Sequence, residues 1–253
     1  MKYEQFESLL DEDLAWRKLE ISELMLLAKT TEKDVVFKSL ILLLYAHWEG
    51  YIKKSSKLYM LYISEKKILL NALSSNFKAV ALKDHVSKCF DSKNRLNLAN
   101  EIAFVSAYSK FENKKFKLVI DLNNDFDSSI IDTESNLKPK VFRNIHDVLG
   151  LQYKQCLRTR EHYINSHLLA NRNAIGHGTK VEKSMASDFS LSVVDIEKLK
   201  AFVFSIIDNF REELLQYVYE ELYLLANHEK RLKYQELREK ELENQFAVIE
   251  STL

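Results

Sequence analysis

Between residues 3 and 29 the apolar positions Phe6, Leu9, Leu10, Leu14, Leu19, Ile21, Leu24, Leu27 and Ala28 fall close to helical spacing with charges between them, the pattern of a long amphipathic helix. A polar break at 30–33 leads to a second predicted helix over 34–64, apolar nearly all round in its first half and therefore expected at the centre of the core. Periodicity weakens over 65–89, where one or two short helices are predicted, and returns over 92–111 through Leu96, Leu98, Ile102, Phe104, Val105 and Tyr108. That helix is expected to pack on the first two. Residues 112–138 read as a polar insertion, within which 116–122 alternates like a short strand but has no evident partner. Pro139 suits a first helical turn and Gly150 a helix end, so 138–149 is predicted helical. A helix over 159–175 is stopped by Gly176 and Gly178, and a polar link at 181–192 follows. Asp195 then caps a long helix beginning at Ile196 and reaching as far as Phe246. Its composition turns from apolar to Lys/Arg/Glu-rich near 226–228, which predicts either a break near Asn227 or a surface segment, with the tail projecting into solvent.

Only 4 glycines and 1 proline occur in 253 residues, far below the usual shares of roughly 7% and 5%. Turns are few and elements long, which predicts an all-α fold of long antiparallel helices and excludes a sandwich, a barrel or a Gly-rich nucleotide fold. The expected division is a helical domain over 1–225, carrying the polar insertion, and a charged helical extension over 226–253. Lys plus Arg equals Asp plus Glu at 37 each, so any site for a polyanion has to be local. Cys89 and Cys156 lack metal-ligand spacing and suit a reducing compartment. The opening residues are polar and acidic, unlike a signal peptide, and the apolar run 35–48 is shorter than the roughly 18 residues of a membrane span. A cytoplasmic protein without membrane contact is expected.

Chemistry concentrates at residues 168–178, LLANRNAIGHG. Asn173 and His177 are four residues apart and share a helix face, so their side chains are within reach of one another. Gly176 and Gly178 keep the imidazole open to a ligand. Arg172 offers a planar, permanently charged fork suited to phosphate oxygens, and a helix C-terminus favours a cationic side chain. Such a set can bind an anion and move a proton; spacing alone equally allows an ordinary helix cap, with His177 bonding the last carbonyls. His162 and His167 lack a zinc-type histidine partner, and His85, His146 and His228 belong to no constellation. No metal or cofactor is predicted.

The string at 168–178 resembles the Arg-Asn-x-x-x-His form of the HEPN signature. Upstream, residues 42–53, LLLYAHWEGYIK, are similar to a helix of the MAE_28990/MAE_18760-like and RiboL-PSP-like HEPN branches. The two matches stand in the expected order and span the core from about 1 to 225. The resemblance implies a HEPN-type helical bundle that forms a homodimer, with two Arg/His motifs meeting in a composite, metal-independent endoribonuclease site. It further implies a toxin–antitoxin or anti-phage defence role, RNA as the substrate and an antitoxin or defence-system protein as a partner. Carried over, Arg172 polarises the scissile phosphate, His177 transfers a proton as acid or base, and Asn173 orients His177 or bonds the phosphate. Tyr45, His47, Trp48 and Glu49 point around their helix and cannot all line one pocket. Tyr45 and Glu49 are supporting candidates, with Trp48 expected in the core and Glu49 paired to a base such as Arg172. A dimer groove would gather Arg172, Lys53, Lys54 and Lys57.

Two other functions fit the same residues. A non-catalytic HEPN module would bind RNA or protein through the motif without cutting. A helical scaffold would depend on residues 230–253 and not on His177.

Overall fold

The computed structural model describes residues 1–91, 98–122, 124, 130–178 and 192–251. Helix α1 (Tyr3–Thr31) ends where Glu32 takes a left-handed conformation, and the chain turns at once into α2 (Asp34–Glu65). A connection this short makes an antiparallel pair, and the Met1 amino group accordingly meets Glu65 at the far end of α2. After a 3-10 turn at Leu70–Ala72 come α3 (Ser75–Asp91), α4 (Ala99–Ser109) and α5 (Pro139–Leu149). The motif segment follows as α6 (Gln155–Thr159), α7 (Glu161–Tyr163), a π-helical stretch Ile164–Leu169 and α8 (Ala170–Gly176). Helices α9 (Val193–Tyr219) and α10 (His228–Ser251) complete an all-α bundle with no strand among the described residues.

Ion pairs give the order of packing. Asp11, Lys18 and Lys29 of α1 meet Arg211, Asp208 and Glu197 of α9, so the two run antiparallel. Helix α2 lies among α1, α5, α8 and α9 and is buried on several sides. Trp48 of α2, Phe142 of α5 and Phe210 of α9 meet at its centre, with ring centroids 4.8 and 5.7 Å from Phe142. Among the described helices α2 is long and apolar enough to cross a membrane, because it runs past residue 48 to Glu65, so length does not exclude a span. Half of its most apolar window is nevertheless buried inside the fold, and the helix serves here as the core.

Several expectations change. Helix α4 packs on α3 rather than on α1 and α2, and Ile102, Val105 and Tyr108 are exposed. Residues 116–122 form no strand: beside them one antiparallel bridge pairs Leu69 with Lys115 through the bonds from Leu70 N–H to the Lys114 carbonyl and from Phe116 N–H to the Ile68 carbonyl, and Leu118 bonds the Ser64 hydroxyl instead of a neighbouring strand. The insertion is tied down by buried Phe116, Ile131 and Leu137. Pro139 and Gly150 bound α5 as predicted; Gly150 sits at φ 75°, and a Cβ there would lie 2.6 Å from Asn76 Oδ1. The link at 181–192 lies outside the described residues except for Ser192. That serine, not Asp195, is the N-cap of α9, its hydroxyl accepting from the Asp195 N–H.

The predicted long final helix breaks at 220–227 and α10 turns back along α9, so the charged tail does not project into solvent. Leu242 and Phe246 are buried, and the Phe246 ring stacks on Phe202 at 4.5 Å. Arg160, between α6 and α7, forks onto Glu243 and Glu250 of α10 at 2.6–3.0 Å. Glu239 accepts from the N–H groups of Gln155 and Cys156 at 2.8 Å each, satisfying the open start of α6. The same carboxylate, after burial, pushes the Cys156 thiol up to about 12, so it stays a thiol.

Candidate functional site

Helix α8 packs against α2, which brings the two sequence motifs together. Tyr45 supplies the contact: the Arg172 guanidinium lies 4.4 Å from its ring centroid, a cation–π arrangement. The tyrosine is itself fixed, since its hydroxyl accepts from Leu137 N–H at 2.9 Å and donates to Asn136 Oδ1 at 3.2 Å. Trp48 Nε1–H donates to the Leu137 carbonyl at 3.3 Å, so α2 holds the main chain of Leu137 at both its N–H and its carbonyl. Burial first, and the nearby Glu49 carboxylate second, raise the Tyr45 pKa, and the phenol stays protonated. Glu49 therefore sits by Tyr45. No ion pair joins it to Arg172 among the described residues, contrary to the pairing expected from sequence.

Arg172 also donates through Nη1 to Asn173 Oδ1 at 2.8 Å. The Asn173 side chain is thus turned to Arg172, and among the described residues no hydrogen bond links it to the His177 ring. What connects Asn173 to His177 is backbone: the His177 N–H donates to the Asn173 carbonyl at 2.9 Å and closes the helix. Gly178 follows at φ 72°, the left-handed residue that commonly ends a helix. His177 is exposed, and a Cβ at Gly176 would meet nothing within 4 Å, so among the described residues this end of α8 is open.

The four consecutive candidates of α2 part company as the helical period requires. Tyr45 and Glu49 face α8 and Trp48 enters the core. His47 points to α1, where it joins a buried group that sequence reading missed. There Asp13 accepts from Arg17 Nε at 2.9 Å and from Lys54 Nζ at 2.8 Å, and Arg17 Nη1 lies 3.3 Å from His47 Nδ1. Burial opposes ionisation of Asp13, but hydrogen bonds from Arg17 and Lys54 outweigh it and hold the carboxyl below its usual range. Burial and then the Arg17 charge lower the His47 pKa. Gly50 makes room for this group, since a Cβ would stand 2.8 Å from Arg17 Nη1. The available signal was the Asp13–Arg17 spacing of four on one helix.

Lys54 is therefore engaged within its own chain. Lys57 is buried, with its ammonium on the Asn124 carbonyl at 2.9 Å. Neither is a freely placed groove cation. His167 is buried and stacked on Tyr163 at 4.1 Å, His162 is exposed, and His146 is a core residue whose pKa burial and Lys154 lower to about 3. Among the described residues no group of three or more His, Cys, Asp or Glu side chains is arranged to hold a metal ion.

In comparisons with known proteins, the MAE_28990-like HEPN family profile matches residues 6–223, a span that contains Tyr45, Arg172 and His177. No curated protein and no solved structure matches the chain significantly.

Proposed function

On the premise that this chain belongs to the MAE_28990-like HEPN family, a nuclease-like or RNA-binding module, we propose that it is a cytoplasmic, metal-independent endoribonuclease. The observation that carries this reading is the open end of α8, where Arg172 is braced by Tyr45 and Asn173 while His177 is left exposed. In the reaction a ribose 2′-oxygen attacks the adjacent phosphorus and the bond from phosphorus to the 5′-oxygen breaks. The products are a 2′,3′-cyclic phosphate and a 5′-hydroxyl. One proton leaves the 2′-hydroxyl and one reaches the departing 5′-oxygen, so a base and an acid are both required. Arg172 meets the charge gathering on the non-bridging oxygens. Each motif offers a single exposed imidazole, and two proton transfers call for two. A homodimer that brings a second His177 to the phosphate supplies them.

A toxin–antitoxin or anti-phage role, with an antitoxin or defence-system protein as partner, accompanies this reading on the strength of the family resemblance. The test is cleavage of total cellular RNA by wild-type protein, His177→Ala and Arg172→Ala in EDTA, with product ends mapped. Cutting that leaves cyclic phosphate ends and is lost in both variants is the expected result. Mixing the inactive variants asks whether the site is shared between protomers. A folded protein that binds RNA and cuts none identifies the non-catalytic HEPN module instead.

A further inference from the structure

The motif helix contains a π-helical stretch, Ile164–Leu169, directly before the turn that carries Arg172. A π turn takes up one more residue than an α turn, and each residue of an α-helix advances about 100°. Everything after Leu169 is therefore rotated by one residue relative to a straight continuation of α7. Arg172 reaches the Tyr45 ring in this rotated register. A slip of the π turn into α geometry would swing the guanidinium away from Tyr45.

We infer that Asn171 is a positioning residue that holds the π turn and so fixes the direction of Arg172. Asn171 is fully buried at 0% exposure, an unusual place for a residue of modest helix propensity. Its side-chain N–H₂ donates to the His167 carbonyl at 2.8 Å and towards the Ser166 carbonyl at 3.4 Å. These acceptors lie four and five residues back, one at the α spacing and one at the π spacing. The amide thus bonds across the place where the two geometries meet. On the upstream side, His167 Nδ1 bonds the Tyr163 carbonyl at 3.0 Å, and Tyr163 packs on Phe202 of α9 at 4.9 Å. On the downstream side, Arg172 is held by α2. Asn171 links these two anchored ends.

The consequence for cleavage rests on the nuclease reading, but the register does not. Arg172 protons above the Tyr45 ring carry a ring-current shift in the NMR spectrum, identified by its loss in Tyr45→Leu. In Asn171→Ala the shift is expected to vanish, and kcat/KM for RNA to fall about 10²-fold, the usual scale for a catalytic group displaced by about 1 Å. Asn171→Asp adds a second reading that a merely structural role would not produce. A neutral carboxyl still donates through its O–H and a carboxylate does not, so the shift is expected at low pH and lost as the new carboxyl ionises. If Asn171→Ala does not fold, this titration decides alone. An unchanged shift in folded Asn171→Ala, or in Asn171→Asp at every pH, overturns the inference. Loss of the shift in a protein that cleaves no RNA would instead overturn the nuclease reading and leave the positioning role intact.

Discussion

Lys154 and Glu213 form an ion pair at 2.5 Å with side-chain exposures of 1% and 0%. Glu213 also receives Asn209 Nδ2 at 3.4 Å, while its Oε1 and the rest of the Lys154 ammonium have no hydrogen-bond partner among the described residues. At this separation the attraction is about 6–7 kcal/mol for an effective dielectric constant near 20. Desolvation costs several kcal/mol for each ion. The pair as a whole is near balance, whereas either charge alone is not. Lys154→Met leaves a carboxylate with one weak partner in the core and is expected to cost about 3–5 kcal/mol. For a chain of this length that lowers Tm by roughly 6–20 °C. The double variant Lys154→Met with Glu213→Leu is expected to recover most of the loss. Urea unfolding of the wild type, both single variants and the double variant measures the coupling directly. A loss under about 1 kcal/mol for Lys154→Met, or a double variant no better than the worse single one, would refute the reasoning.

Other outcomes follow from the same packing. His146 titrates near 3 in the folded chain and near 6.5 when unfolded, so its contribution to stability is full above pH 6.5. It is lost on acidification towards pH 3, at about 1.4 kcal/mol per pH unit; the difference in unfolding free energy between wild type and His146→Leu, measured from pH 7 to 4, should show that slope. Gly150→Ala is expected to destabilise by about 1 kcal/mol or more, because it combines φ 75° with a 2.6 Å approach to Asn76. Gly176→Ala meets nothing among the described residues in its helical setting and is expected to raise stability by about 0.5–1 kcal/mol, both glycine variants being measured by urea unfolding beside the wild type. Arg160→Ala, or high salt, is expected to speed hydrogen exchange in α10 more than in α2, since the fork to Glu243 and Glu250 lies largely at the surface. Equal protection of α10 with and without Arg160 would count against that attachment.

Where chemistry and geometry coincide in one residue, the sequence was readable. Pro139, Gly150 and Gly178 each require a particular backbone and stand where it is needed. The apolar run of α2 announced the core, and the Arg172 to His177 spacing marked the open helix end. Partners were less legible than elements. The periodicity of Ile102 and Val105 predicts a helix but not that its apolar side stays uncovered. In α10 the buried pair Leu242 and Phe246 is too short a stripe to stand out among charges that turn out to be fixed by Arg160. A π turn leaves no periodic signature over six residues, so Asn171 looked like a neighbour of the motif. Asn136 and Leu137 reach Tyr45 from 91 and 92 residues away, a distance along the chain that no local pattern spans.

The docking of α10 separates the stretch that defines the family from the stretch that folds. The family match ends at residue 223, yet the first turn of α6 depends on Glu239 for its cap and Phe202 on Phe246 for its cover. A fragment trimmed to the family boundary would keep Arg172, Asn173 and His177 and lose the support of the segment that leads to them. Synthesis passes through the same condition: a ribosome that has completed the motif has yet to make the residues that brace it. Proteolysis of nascent chains halted at residue 227, compared with the released protein, would report how open 155–169 is at that stage. Helix α10, made after the motif, is thus the element that braces the segment leading to Arg172 and His177.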